Sequence, residues 1–157
     1  MTNVRINDIS VRIAGPDDMA DILVWRNDPY VRSMSIDTGI IEPASHRHWY
    51  NKLLLDSNRL LLIYMLGSSK VGMIRFDADI SQNWDISITV APDFRGSGVG
   101  SKLLGLGIAF LKETRSVNLI NAQVKTGNEP STKLFSKYGF IEISRSNAVI
   151  NLTLEPS

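Results

Sequence analysis

The order of hydrophobic periods along the chain predicts an α/β protein built on a single mixed β-sheet flanked by helices. Three observations carry this. A first strand is followed by two helical stretches. Three strand-like runs then succeed one another across short turns, as in an antiparallel meander. Finally, a strand enters a glycine-rich loop, a helix and a further strand, a β-α-β unit whose two strands run parallel. The full order reads β-α-α-β-β-β-α-β-α-β-β.

Residues 9–14 alternate apolar and polar side chains and form the first strand. Gly15, Pro16, Asp17 and Asp18 stop it and start a helix, with proline early and acids in the first turn. Ile22, Leu23 and Trp25 supply that helix's buried side, and Asn27-Asp28-Pro29 breaks it. Residues 30–34 make a short helical turn, and 36–42 form an irregular crossing segment. A helix over 43–55 places Trp49, Leu53 and His46 along one side. Residues 59–66 form a strand that turns at Gly67-Ser68-Ser69 into its antiparallel partner, 70–79. The strand 84–90 completes the meander.

After the glycine loop, Val99, Leu103, Leu106 and Phe110 recur at helical spacing. Gly105 and Gly107 inside this helix each cost about 1 kcal/mol relative to alanine, which is tolerable where the helix packs closely on the sheet. Residues 117–124 form the parallel strand. The stretch 128–138 is an amphipathic helix ended by Gly139, and 140–144 and 148–154 close the chain as a hairpin.

At 157 residues, the chain has the length of one domain, expected to span 1–157. Its 43% hydrophobic and 21% charged residues place it with ordinary globular proteins. A formal net charge of +1 gives no reason to expect nucleic acid or an anionic membrane as partner. The absence of cysteine excludes disulfides, thiolate metal sites and a cysteine nucleophile, and no metal site is expected. The polar, mixed-charge stretch 1–10 does not have the form of a signal peptide, and the longest apolar run, 60–66, is too short to span a bilayer. The expected location is the cytoplasm.

The stretch from Val90 to Lys102 organises the functional reading. Gly96, Gly98 and Gly100 stand at every second position just before a helix. Glycines there let backbone N–H groups approach an anion, and the helix start adds its positive dipole end, so the expected ligand carries phosphate. A P-loop needs Gly-Lys-Ser/Thr, whereas Gly100 precedes Ser101 and Lys102 in the opposite order. A dinucleotide fingerprint needs G-x-G-x-x-G and an acid at the end of the next strand, and both are missing. A flexible turn without function is the bland reading of the stretch taken alone.

The run from Arg95 to Gly100 resembles, at every position, the Arg-Gly-x-Gly-x-Gly pyrophosphate loop of the GNAT family of N-acetyltransferases. A second stretch matches in order: Asn128 and Ser131 open a helix that leads through Phe135 to Tyr138-Gly139-Phe140, similar to that family's second signature. The resemblance implies the GNAT fold from first strand to last, acetyl-CoA as cofactor, a small amine acceptor, and acetyl transfer by direct attack. It is compatible with a homodimer. It also implies that Arg95, Gly96, Ser97, Gly98, Val99, Gly100 and Ser101 hold the pyrophosphate. Backbone groups of Ile88, Thr89 and Val90 would pair with pantetheine on a strand splayed from its parallel neighbour. Asn128, with Ser131, Lys133 and Phe135 near it, would contact the same arm.

The N-terminal half resembles a narrower group. Trp25 to Arg32, then His46 and Trp49, then Ile74-Arg75-Phe76-Asp77 are similar to the nucleotide-sugar N-acetyltransferases of pseudaminic acid and related surface-polysaccharide and flagellar glycan pathways. That resemblance implies a nucleotide-linked amino sugar as acceptor, held by Arg26, Trp49, Arg75 and Asp77. Each of the three charged residues equally suits a surface ion pair.

Two residues compete as general base. Asp85 is the only carboxylate on the strand entering the site, and its bland reading is an exposed charge. His46 titrates near working pH, and its bland reading is a packing residue. Where many relatives place a tyrosine acid, Phe135 cannot donate a proton. Gln123 stands where ribosomal-protein N-terminal acetyltransferases carry a glutamate, which counts against a protein N-terminus as acceptor. A peptide-amine acetyltransferase and a non-catalytic acyl-CoA-binding module are the alternatives.

Overall fold

The computed structural model describes residues 6–156, so residues 1–5 of the polar N-terminal stretch, and Ser157 of the expected domain, lie outside the described residues. Seven strands form one sheet in the order β1-β2-β3-β4-β5-β7-β6. β1 (Ile9–Ile13), β2 (Arg59–Leu66), β3 (Ser69–Ala78) and β4 (Asn83–Val90) are successive antiparallel neighbours. β5 (Leu119–Lys125) lies parallel to β4, and β7 (Val149–Leu154) and β6 (Ile141–Arg145) complete the sheet antiparallel. The strands follow the expected order and directions, and the helices add one: the short turn expected over 30–34 is a helix, Pro29–Met34, started by Pro29 and capped by Asp28, so three helices rather than two precede the second strand.

The helices are α1 (Met19–Asn27), α2 (Pro29–Met34), α3 (Pro43–Leu55), α4 (Val99–Thr114) and α5 (Glu129–Lys137). Two apolar clusters divide between them. One joins α4 and α5 to one sheet face through Leu62, Ile74, Phe76, Leu103, Leu111, Ile120 and Leu152. The other seats Ile22 and Trp25 of α1 and Tyr50 and Leu53 of α3 on the opposite face, over Leu61, Ile63 and Met73. This is why β2 is buried almost continuously along its length. β4 loses that cover on the α3 side, so Trp84 and Ile86 are buried while Asp85 between them is exposed.

Close packing accounts for the two glycines of α4. A methyl group on Gly107 would come 2.6 Å from Tyr64 Oη and 2.8 Å from Ile74 Cδ1, and one on Gly105 would come 2.8 Å from Tyr138 Oη. On the other face, Asp18 is a buried acid rather than a solvated one. Arg12 grips it with both terminal guanidinium nitrogens at 2.7 and 2.8 Å, Lys70 at 2.8 Å, and the Gly15 amide donates to it. Tyr50 Oη donates to Gly15 O at 2.5 Å and locks α3 to the same corner. Among the described residues, no helix is long and apolar enough to cross a membrane.

Candidate active site

The parallel pairing of β4 with β5 runs only from Asn83–Leu119 to Ile86–Ala122. β4 stays paired with β3 as far as Val90, so among the described residues no strand pairs with its other edge from Ser87 onward. A cleft of about 800 Å³ opens there, between the separated strand ends, the glycine loop, α2 and α5.

The loop's backbone explains its glycines unequally. Gly96 and Gly98 have φ of 76° and 79°, a left-handed conformation that costs other residues energy. Gly98 is also the N-cap of α4, and no side chain caps that helix. Its opening amides therefore remain available to an anion in the cleft. Gly100 lies inside α4 with room for a methyl group, whose contacts would be ordinary ones at 3.6 Å with Leu134 and Val90. Neither packing nor backbone conformation demands glycine at that position.

Every residue expected to hold the cofactor lines this cleft except Ser97, whose hydroxyl donates back to Phe94 O at 2.6 Å. The Arg95 guanidinium is turned away from the loop: it pairs with Asp28, the N-cap of α2, and stacks 4.6 Å from the centre of the Tyr30 ring. Asn128 caps α5 through Ser131 N and donates from Nδ2 to Met34 O at 3.3 Å. Lys125 Nζ donates to Ser33 O at 3.0 Å. α2 is thus tied to both expected cofactor stretches. Its Tyr30, Val31 and Met34 are cleft-wall residues that sequence reasoning missed, together with Ser87 and Lys137. The period of α2 is too short to show a face, so no signal there marked them.

Phe135 lies in the cleft wall, buried edge-on against Phe140 at 5.0 Å. Tyr138 does not line the cleft; its hydroxyl donates to Ser101 O at 2.5 Å and fastens α5 to α4.

At the far end of the cleft, Asp85, Asp77 and Arg75 come together. Asp77 and Asp85 face each other across β3 and β4, and Arg75 faces Ser87 two pairs further along, on the same sheet face. Although Asp85 is exposed as a whole, its carboxyl is pushed above its ordinary value, first by the desolvation that the surrounding protein imposes and then by the like charges of Asp77 and Asp79; a hydrogen bond from Asn121 and the charge of Arg75 pull the other way. A raised carboxylate is a stronger acceptor for an ammonium proton. Asp85 also borders a second, shallower pocket with Asn121, Gln123, Asn151 and Thr153 on the open sheet face.

Arg26, Trp49 and His46 stand behind that end, outside the cleft wall. His46 is 2% exposed, with Nε2 2.8 Å from Met19 O and Nδ1 3.5 Å from Arg26 Nη1. The carbonyl can only accept, so Nε2 carries the proton and Nδ1 faces the guanidinium. Burial above all, and the charge of Arg26 in addition, hold the imidazole below its ordinary pKa. Both nitrogens are engaged and neither reaches the cleft, which corrects the expectation of a base at His46. Its position makes it a support for Arg26.

The cleft joins a glycine loop at a helix N-terminus to a gap between two parallel strands. The family model of the acetyltransferase (GNAT) domain matches residues 9–141, and the chain belongs to that family. It is 36% identical over 72 residues to the N-acetyltransferase 9-like protein of Nematostella vectensis, a match covering 45% of this chain and 36% of that protein's length. Among solved structures, it is similar to spermidine N-acetyltransferase from Vibrio cholerae in complex with CoA and spermine, with a TM-score of 0.87 at 16% identity over 95% of this chain and 96% of that one. The ribosomal-protein-alanine N-acetyltransferase from Brucella melitensis superposes with a TM-score of 0.81 at 20% identity, over 94% and 99% of the two chains.

Proposed function

We propose that the protein transfers the acetyl group of acetyl-CoA to the primary amine of a nucleotide-linked amino sugar. The observation that carries the acetyl-CoA half is the separation of β4 from β5 directly beneath the unfilled N-terminus of α4. Such a gap takes an extended arm along the free edge of β4, while its phosphates meet the backbone amides of the loop. The thioester then lies near Ser87 and Ile88, within the same cleft as Asp85.

In this reading, Asp85 takes the proton of the acceptor ammonium, directly or through one water. The freed amine attacks the thioester carbon; the C–N bond forms as the C–S bond breaks, and the electron pair leaves with sulfur. An N–H of β4 polarises the carbonyl oxygen. Phe135 has no proton to give and the Tyr138 proton is committed to Ser101 O, so water protonates the departing thiolate. Arg75 and Asp77, beside Asp85 on the cleft wall, suit a hydroxyl-rich acceptor. Gln123 lines the cleft but has no basic group to serve a peptide N-terminus.

The test is thiol release from acetyl-CoA with UDP- and CMP-linked amino sugars beside polyamines, aminoglycosides and N-terminal peptides. Turnover of a nucleotide-linked amino sugar at the highest kcat/KM supports the reading. Turnover of a peptide amine, with no nucleotide sugar acetylated, refutes it.

A further inference from the structure

Behind the acceptor end, three guanidinium groups surround a single indole. The guanidinium carbons of Arg26, Arg75 and Arg59 lie 4.2, 5.5 and 5.6 Å from the centre of the Trp49 ring. They come from three separate elements: Arg26 from α1, Arg75 from β3 and Arg59 from β2. Sheet register sets Arg59 opposite Asp77 and Asp77 opposite Asp85, so one polar row crosses three strands toward the cleft.

The charges in this group do not balance. Asp77 uses one carboxylate oxygen for Arg59 at 2.7 Å and the other for Arg75 at 2.9 Å. Arg26 has no ion-pair partner among the described residues; Asp37 is near enough to be felt, but His46 is the only side chain bonded to it. Burial, then Arg75 and Arg59, pull Arg26 down to about 10. A half-buried cation next to two others is unfavourable unless an anion completes the group. The stacking on Trp49 offsets part of this cost, as cation–π contacts do. Asp77 alone is paired with these guanidiniums among the described residues, and Asp85 and Asp37 act on them only through their charge, so Arg26 keeps donors for an anion.

We propose that Arg26, Arg59 and Arg75, gathered around Trp49, form the docking site for a phosphoryl group of the amine acceptor. The proposal rests on the acetyltransferase reading and deepens it. Planar guanidinium forks suit phosphoryl oxygens, and the indole offers a flat apolar wall beside them. Opposite charges sort the acceptor's two ends: its ammonium goes to Asp85 and its phosphoryl group to the arginines. A polyamine, cationic along its whole length, meets repulsion where the phosphoryl group would bind.

The experiment measures binding of UDP and of inorganic pyrophosphate by calorimetry, using protein saturated with CoA so that the cofactor's own phosphate site is filled. Both probes should bind, more weakly as salt rises, and Arg26→Gln should weaken them about tenfold or more while CoA affinity and melting temperature hold. Absence of heat with both probes in the wild-type protein overturns the proposal, and so does undiminished binding in Arg26→Gln. This first outcome needs no variant to fold. Pyrophosphate binding without UDP binding keeps the phosphoryl site but removes the nucleotide from the acceptor. Acetyl transfer supplies the second arm: glucosamine 6-phosphate should exceed glucosamine in kcat/KM by about tenfold, an advantage lost in Arg26→Gln, and spermidine should be poorer than both. Faster turnover of spermidine than of the phosphorylated amine overturns the proposal. Failure of every amine to release thiol, with UDP still bound, strikes the acetyl-transfer reading and leaves the anion site standing.

Discussion

Gly100→Ala separates the needs of the fold from those of the ligand. At Gly98, with φ of 79°, any side chain adds backbone strain of about 1–2 kcal/mol, so a loss of binding there would be entangled with a loss of stability. Gly100 is the second residue of α4, and its added methyl group meets Leu134 and Val90 at an ordinary 3.6 Å. Alanine is the better helix former by up to about 1 kcal/mol, less in a first turn. The unliganded variant should therefore melt no lower than wild type and up to about 4 °C higher. Val90 and Leu134 both line the cleft, so the methyl group stands where the ligand's phosphates approach the backbone. Acetyl-CoA affinity should fall about tenfold or more, equal to about 1.4 kcal/mol. Scanning calorimetry of the free protein and titration with acetyl-CoA measure the two effects separately. An affinity within twofold of wild type would refute the placement of phosphate against the start of α4; a lower melting temperature would refute the packing argument.

Asp85→Asn should lower kcat/KM about 10²–10⁴-fold with acetyl-CoA affinity unchanged. Because desolvation and like charges raise the Asp85 carboxyl, wild-type kcat/KM should fall as pH drops through that raised value, and the variant should lose this limb of the profile. His46 is held below its ordinary 6.5, so the unfolded chain takes the proton first. The contribution of His46 is complete above about pH 6.5 and is lost as pH falls toward the folded-state value; denaturant melts should show this slope, and His46→Gln should flatten it. In the core, Gly107→Ala should cost about 1–3 kcal/mol by pressing on Tyr64 Oη and Ile74. The Tyr64 hydroxyl is buried without a hydrogen-bond partner among the described residues. Tyr64→Phe should therefore be neutral or stabilising and should reduce the Gly107→Ala penalty; additive melts across the four proteins would show that the hydroxyl is not the obstacle.

The elements were legible because each carries its own period and punctuation. β2 ends where its apolar run does and begins one residue before it, at Arg59, and α3 begins at Pro43 and ends at Leu55 as its spacing predicts. The glycine loop and the helices that follow the two expected cofactor stretches were legible as structure, since a loop and the helix after it are local in the chain. Side-chain direction was not. Helical spacing put His46, Trp49 and Leu53 on one side, yet His46 and Leu53 enter the core with Tyr50 while Trp49 stays half-exposed beneath the arginines. Arg59 looked like nothing more than the start of a strand; its importance comes from register with Asp77, 18 residues away. Arg95 belongs to the phosphate loop in sequence, but its guanidinium meets Asp28, 67 residues earlier. Long-range pairings of this kind leave no trace in a local pattern.

The early end of the β4–β5 ladder also has a mechanical meaning. Among the described residues, four residue pairs are the only strand-to-strand bond between a half-sheet of four strands and a half-sheet of three. Beyond them lies a seam that the chain itself does not close. A ligand lying in that seam touches both halves, so it acts as a tie across the weakest line of the sheet. Occupancy should therefore be read in the melting curve as well as in turnover: at a hundred times its dissociation constant, a bound cofactor adds about 2.7 kcal/mol to the folded state.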